Sequence, residues 1–474
     1  MMILSIGWKN VWRNKNRSLV VIISVMFGIF GGLMSTGIMK GWIDQRIHSS
    51  IYNELSHVQI HNPEYMLNED MDLTVKNFSK IVSVLDTMPG VVAYSPRVKI
   101  MVPAQSDWGA TGFMLMGVDP EKEKQVSEIY KNIIEGDFLE GQHKIPSIVI
   151  GSKAAEDLKL KNFQITKEKL NSIDTTTYPS NVVSTLMAMK NKRYREEYKF
   201  RNALKEKLSA KDYKKFGDEL VKYFSFYRLG TKISITLFDT AKKEIRPVFE
   251  VRGIYETNNS MFDEMNAFVV RDKLNEYTKL SRNQVHEIAI ISTDNSSGAK
   301  LGDKLEKLFP ENSVMSWKKL SPEIAMYTQF VGLMGMIFVG IILFALAFGI
   351  INTMLMSVLE RVKELGMLMA IGMNKKRVFS MIMYESIMLT LTGAVVGLVF
   401  SGILIKITGI TGINLSMYSE GFKAIGYASV VYPRVSVADY ISIIILVIIT
   451  GIVSAIWPAR KALKLNPAEA LRTE

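Results

Sequence analysis

Residues 324–359 read IAMYTQFVGLMGMIFVGIILFALAFGIINTMLMSVL, a run without a single charged side chain, bounded by Glu323 and Glu360. At ~1.5 Å rise per residue a helix over this run is ~54 Å long, well beyond the ~30 Å hydrocarbon layer of a bilayer. The stretch is therefore expected to cross a membrane and to continue outside it as a stalk. Leu19 to Met39, Ser386 to Ile405 and Tyr440 to Ala459 are similarly apolar and free of carboxylates. Each reaches the ~20 residues that a span requires. A signal peptide is the competing reading of the first run. That run exceeds an h-region of ~7–15 residues, and Lys40-Gly41-Trp42 is no small-residue cleavage site, so it is read as a retained anchor.

Cations in the short connections orient the spans, since Lys and Arg are retained on the cytoplasmic side. Lys9, Arg13, Lys15 and Arg17 precede the first span; Arg361, Lys363, Lys375, Lys376 and Arg377 lie between the second and third; Arg460, Lys461, Lys464 and Arg472 follow the fourth. Thr408 to Asp439 holds only Lys423 and Arg434. Both termini are expected in the cytoplasm, and residues ~40 to ~325 outside it. The expected order is an amphipathic interfacial helix at 1–17, spans at 18–40, 326–359, 378–407 and 440–459, and an extracytoplasmic domain at 41–325. A cytoplasmic segment at 360–377, an extracytoplasmic loop at 408–439 and a cytoplasmic tail at 460–474 complete it.

The 41–325 region alternates short strand-like runs with two helical ones. The strands are expected at Arg97 to Pro103, Gly112 to Val118, Ser147 to Ile150, Lys232 to Phe238, Pro247 to Tyr255 and Glu287 to Ser292, and the helices at Thr74 to Thr87 and Lys300 to Leu308. The fold class is thus an α-helical membrane protein with four transmembrane helices and a large α+β domain between the first and second. Lys161 to Arg228 differs in kind: it holds 16 Lys/Arg against 8 Asp/Glu and contributes much of the net charge of +12. It reads as a basic helical insertion, helical from about Val182 to Tyr227. Outside the cytoplasm such charge suits lipid headgroups, cell-wall polymer or acidic protein rather than nucleic acid.

The chemistry-bearing motifs are few. No G-x-x-x-x-G-K-[ST] phosphate loop occurs, nor a G-x-S-x-G elbow or an H-E-x-x-H pair, so an ATPase or hydrolase has no foothold in this sequence. Cysteine is absent, which excludes disulfides and thiol chemistry. His57 and His61 share one face of an alternating strand and are read as structural, with no metal or cofactor site. Glu385, an acid within a span, is read as satisfying a neighbouring helix, because an intramembrane charge costs at least ~2.5 kcal/mol. Small residues recur at four-residue spacing: Gly28 and Gly32, Ala345 and Gly349, Gly393 and Gly397. They allow close helix approach, either within one subunit or across a dimer seam.

Glu360 to Gly372, reading ERVKELGMLMAIG, together with Glu385, Gly393/Gly397 and the ending Pro458-Ala459-Arg460-Lys461-Ala462 and Asn466 to Arg472, resembles the FtsX-like permease domain of MacB/LolCDE-type ABC transporters. Gly117-Val118-Asp119-Pro120, Glu135-Gly136 and Ile148 to Gly151 are similar to that family's periplasmic core domain. Gly41-Trp42 and His57 to Pro63 resemble the lipoprotein-releasing LolC/LolE branch. The resemblance implies a non-catalytic, mechanotransmitting permease of a bacterial inner membrane. Its ATPase would be a separate subunit that binds ATP and Mg, as the short basic N-terminus also suggests. The implied coupling residues are Glu360, Arg361, Glu364, Gly366 and Gly372, with Glu360, Arg361 and Glu364 available for charged pairing with that subunit. The other implied partners are a second permease, identical or not, membrane lipids, and a lipoprotein or another periplasmic substrate. The family's alternatives are efflux of a periplasmic substrate and FtsX-like regulation of a cell-wall hydrolase.

Overall fold

The structure, a computed structural model, describes residues 15–141, 143–173 and 178–463. Of the interfacial helix expected over 1–17, residues 1–14 lie outside the described residues and Lys15 already belongs to the first long helix. The tail expected over 460–474 is described as far as Leu463. Two compact units emerge, one of Met1–Gln45, Glu323–Ser419 and Ala428–Glu474, the other of Arg46–Pro322 and Glu420–Tyr427.

The first unit is helical. Its long helices run Lys15–Ser49, Pro322–Glu360, Lys375–Thr411 and Val437–Leu463, and all four are long and apolar enough to cross a membrane. They are termed the first to fourth spans, and they make the chain a multi-pass membrane protein. Val25, Ile29, Leu33, Ile350, Met354, Leu389 and Val447 form the centre of their common core. Among lipid-embedded helices close van der Waals packing replaces the hydrophobic drive, which is why small residues matter here. A Cβ on Gly393 would sit 2.7 Å from Val25 Cβ, and one on Gly397 3.1 Å from Ile29 Cβ, so the third span rests on the first. Gly28 faces Leu346 of the second span and Gly32 faces Ile443 of the fourth. Gly349 lies loosely beside Ser24, and Ala345 is exposed among Ile341, Phe344 and Phe348. Four of the six small residues therefore seat helices of the same chain.

At the other end of the first span, Gly41 meets the Tyr432 carbonyl so closely that no Cβ would fit. Trp42 Nε1 donates to the Ala428 carbonyl at 3.1 Å, and Gln45 exchanges bonds with Val430 and Tyr432. Gly41-Trp42 thus holds the connection between the third and fourth spans.

The second unit is built on a ten-stranded mixed sheet. In chain order the strands of this unit are β1 (Val58–His61), β2 (Val91–Gln105), β3 (Ala110–Val118), β4 (Ile133–Gly136), β5 (Ser147–Gly151), β6 (Lys161–Gln164), β7 (Arg193–Tyr194), β8 (Ser225–Tyr227), β9 (Lys232–Ile235), β10 (Leu237–Phe238), β11 (Glu244–Ile245), β12 (Val248–Tyr255), β13 (Asn266–Val270), β14 (Glu287–Ser292) and β15 (Ser313–Ser316). The order across the sheet is β15-β1-β14-β2-β3-β13-β5-β12-β4, with β9 pairing β12 and β2. Only β3–β13 and β5–β12 run parallel within it. Both faces are covered: Phe113, Leu115, Ile148 and Ile150 point into one core, and Met114, Met116, Val149 and Phe268 into another. This explains why β5 and β14 are buried throughout and lack polar alternation. The helix expected over Thr74 to Thr87 spans only Phe78–Leu85, and the last helix begins earlier than expected, at Asn295, where Asp294 caps it.

A network of charged side chains lies within this unit. Arg97 on β2 holds Glu123 at 2.6 Å and Glu287 on β14 at 2.7 Å, and Lys99 reaches Glu287 at 3.0 Å. Beside them His286 Nδ1 accepts from the Lys99 amide and its Nε2 donates to the Met71 carbonyl. His61 packs against Tyr65 with its Nε2 at 2.9 Å from Gln59 Oε1, and His57 Nε2 faces Asn295 at 3.2 Å. The two histidines belong to different polar clusters.

The 161–228 segment departs from the helical reading. It opens and closes on strands, in a sheet ordered β7-β6-β8, and helices Ser180–Ala188, Glu197–Lys207 and Ala210–Phe224 are separate rather than continuous. Phe163, Phe200, Leu204, Leu220 and Phe224 give it a core of its own. Lys161 pairs with Tyr227, and the Arg228 amide donates to the Leu160 carbonyl, so the chain leaves and re-enters the main sheet at one point.

Candidate coupling site

The second span ends at Glu360, and the backbone breaks at Arg361 (φ −106°, ψ 20°) before a short helix, Val362–Ala370, turns away. Gly372 terminates that helix at φ +96°. Met373 N bonds to the Leu368 carbonyl and Gly372 N to the Met369 carbonyl, the paired closure that glycine makes possible because a left-handed residue costs it nothing. Asn374 then caps the third span through Lys376 N. The segment is thus a helix, a stop and a restart, all locally encoded.

Its faces differ. Leu365 and Gly366 are buried, and Leu368, Met369 and Met373 pack on the helical core. Arg361 turns inward: its Nε holds Glu364 and its Nη1 holds Glu385 of the third span, both at 3.0 Å. Glu385 is only 2% exposed, so this pairing satisfies a carboxylate inside an apolar bundle. Arg361 and Glu364, expected to be available for charged pairing with a partner, are thus paired within the unit, Glu364 with its side chain still 38% exposed. Glu360 is exposed and also engaged. The free face is Lys363, Met367, Ala370 and Ile371, with Met367 51% and Ile371 79% exposed, followed by exposed Lys375, Lys376 and Arg377. Sequence reasoning passed over Met367 and Ile371, although their spacing from Lys363, four and eight residues on, was the available signal.

Elsewhere in the helical unit Asn352 borders an apolar cavity of about 520 Å³ with Phe348, Gly349, Ile351, Leu355 and Trp457. The cavity offers no converging polar groups.

Residues 336–467 match the family described as FtsX-like permease C-terminal, a little over a quarter of the chain. The chain is similar to the macrolide export ATP-binding/permease protein MacB of Chlorobium luteolum, 36% identical over 27% of this chain and 16% of that protein. It is similar also to an uncharacterised ABC transporter permease, MJ1507, of Methanocaldococcus jannaschii, 26% identical over 48% of this chain and 55% of the relative. The matched parts thus span about half or less of the relatives' own length. Among solved structures, the periplasmic region of MacB from Actinobacillus actinomycetemcomitans aligns with 56% of this chain and 92% of that chain, at 9% identity and a TM-score of 0.28, too slight a likeness to carry inference.

Proposed function

We propose that this chain is the membrane subunit of an ABC transporter, driven by a separate ATPase that binds ATP and Mg and docks on the Lys363, Met367 and Ile371 face. The observation that carries this reading is the Arg361–Glu385 pair, which ties the short helix to the bundle at the end of a 39-residue helix. A docked subunit that moves the short helix then moves the second span with it. The FtsX-like match over 336–467 supports the assignment, and these 474 residues hold no phosphate loop of their own.

In this reading Glu360 to Arg377 is cytoplasmic, the sheet unit lies outside the cytoplasm of a bacterial inner membrane, and a second permease completes the assembly. Release of lipoprotein is the substrate reading supported by Gly41-Trp42 and His57 to Pro63. A second reading, export of a periplasmic substrate, is favoured by the similarity to a macrolide export protein.

Two measurements test the proposal. Met367→Glu with Ile371→Glu should abolish copurification of the ATPase from native membranes while leaving the permease folded; unchanged copurification removes this face from the mechanism. Single cysteines suit a cysteine-free chain. An impermeant thiol reagent added outside should label P120C and spare A370C, and the reverse pattern would invert the topology.

A further inference from the structure

Three arginines gather where the 161–228 segment meets the main sheet. Arg195 and Arg228 share the indole of Trp108, with guanidinium carbons 5.3 and 4.4 Å from a ring centroid. Arg193, on β7, lies 5.3 Å from the Phe226 ring on β8. Two of the three belong to one short stretch of chain and the third to the segment's exit, so only the β7-β6-β8 sheet brings them together.

Their platform is fixed. Trp108 sits in the turn between β2 and β3, where Ser106 Oγ accepts from the Trp108 and Gly109 amides at 3.0 Å and donates to the Leu158 carbonyl at 2.7 Å. Gly109 is pressed against the Asp157 carbonyl, a contact that excludes any larger residue. Trp108 is partly buried against the main core.

The cluster lacks an internal counter-charge. Among the described residues none of the three arginines has a carboxylate within ion-pair distance, although neighbouring Lys161 is paired with Glu156, Lys199 with Glu196, and Arg201 with Glu197 and Asp218. Partial burial, and then the repulsion of Arg228 and Arg195, hold the Arg193 pKa below its ordinary value. Like charges collected around rigid rings raise the free energy of the empty cluster, and a bound anion would relieve that repulsion.

We propose that Arg193, Arg195 and Arg228, presented on Trp108 and Phe226, form a binding site for a phosphate-bearing anion. Guanidinium forks match phosphate oxygens bidentately, and ring stacking orients them in advance. A carboxylate has two oxygens to offer three forks, whereas a phosphate has more acceptors and up to twice the charge. The site lies outside the coupling segment, so its test is independent of ATPase docking.

The test titrates inorganic pyrophosphate into the full chain in phosphatidylcholine nanodiscs by calorimetry. Saturable binding weakened by salt is expected. The triple variant R193Q/R195Q/R228Q should bind at least about tenfold more weakly, as loss of charge-assisted hydrogen bonds implies. K205Q/K207Q/K211Q, which removes equal charge from the same segment, should bind as the parent does. If the glutamine triple fails to fold, R195K/R228K keeps the charge and loses the planar fork, and should still weaken binding. Nanodiscs containing phosphatidylglycerol separate the sources: a raised apparent Kd for pyrophosphate assigns the site to lipid headgroups, and an unchanged Kd to soluble phosphates. Absence of saturable binding, equal weakening by both triples, or parental affinity in R195K/R228K overturns the proposal.

Discussion

Both units of this protein bury ion pairs, but in different company. In the sheet unit Arg97, Lys99, Glu123 and Glu287 balance in charge and join β2, β14 and the helix Pro120–Val126, elements far apart in sequence. In the helical unit Arg361 serves Glu364 and Glu385 from a backbone break between helices. In the first arrangement Glu287 and Glu123 are fully buried and Arg97 is 5% exposed, with the Lys99 side chain reaching the surface. The second opens to the surface through Arg361. A network joining two strands and a helix fixes strand register, whereas a pair at a backbone break ties one short helix to the bundle. This difference supports placing transmission at Arg361 and support at Arg97.

The largest effect should come from breaking the network of the sheet unit. Glu287→Ala leaves the buried Arg97 with Glu123 as its remaining carboxylate, and losing one partner of a buried pair costs about 3–5 kcal/mol. The expected result is a large fall in the unfolding midpoint, followed by circular dichroism on the full chain in detergent. A midpoint within a degree of the parent would show that the network is not structural.

Arg361→Ala should cost less, about 1–3 kcal/mol, because Glu385 is then left with fewer partners near a route to solvent. Its mark should be a loss of ATPase stimulation out of proportion to stability. The double variant with Glu385→Gln removes the stranded charge and should recover stability without recovering stimulation. Recovery of both would make the pair structural, like its counterpart in the sheet.

Acid should separate the units further. Burial lowers the pKa of His286, so the unfolded chain gains a proton below about pH 6.5 that the folded chain refuses. Burial alone would raise Glu287, but Lys99 and Arg97 overcome it and hold the carboxyl down to about 2. Both groups therefore contribute stability above their unfolded values, lost as pH falls: first from about 6.5 through His286, then below 4.5 through Glu287. Hydrogen exchange at β14 should accelerate on acidification earlier than exchange in the fourth span, and His286→Asn should lessen the upper part of that response, the remainder belonging to His57 and His61, which burial also lowers. A flat response in the parent between pH 7 and 5 would contradict it.

The smallest effect is expected where ions are exposed. Asp218, whose side chain is 90% exposed, pairs with Arg201 on the surface of the 161–228 segment. Asp218→Ala should change stability by less than about 1 kcal/mol by chemical denaturation. A larger loss would mean that the segment depends on its charges rather than on its core of Phe163, Phe200 and Phe224.

The sequence by itself determined the four apolar helices, because each is a contiguous run whose length is measured against a bilayer. The stop at Gly372 and the cap at Asn374 are equally local, since they rest on one residue's backbone freedom and one side chain's reach. The partner of Arg361 was decided only by the fold: Glu385 was visible as an intramembrane acid, yet which cation reaches it depends on how the third span packs on the first through Gly393 and Gly397. Burial was likewise invisible for the strands β13 and β15, and for the 161–228 segment, whose strands flank helices and take meaning only when Lys161 meets Tyr227. The gathering of Arg193, Arg195 and Arg228 around Trp108 and Phe226 belongs to the same class. Local features are written in neighbouring residues, whereas pairings between distant ones are chosen by the packing that minimises buried, unpaired charge.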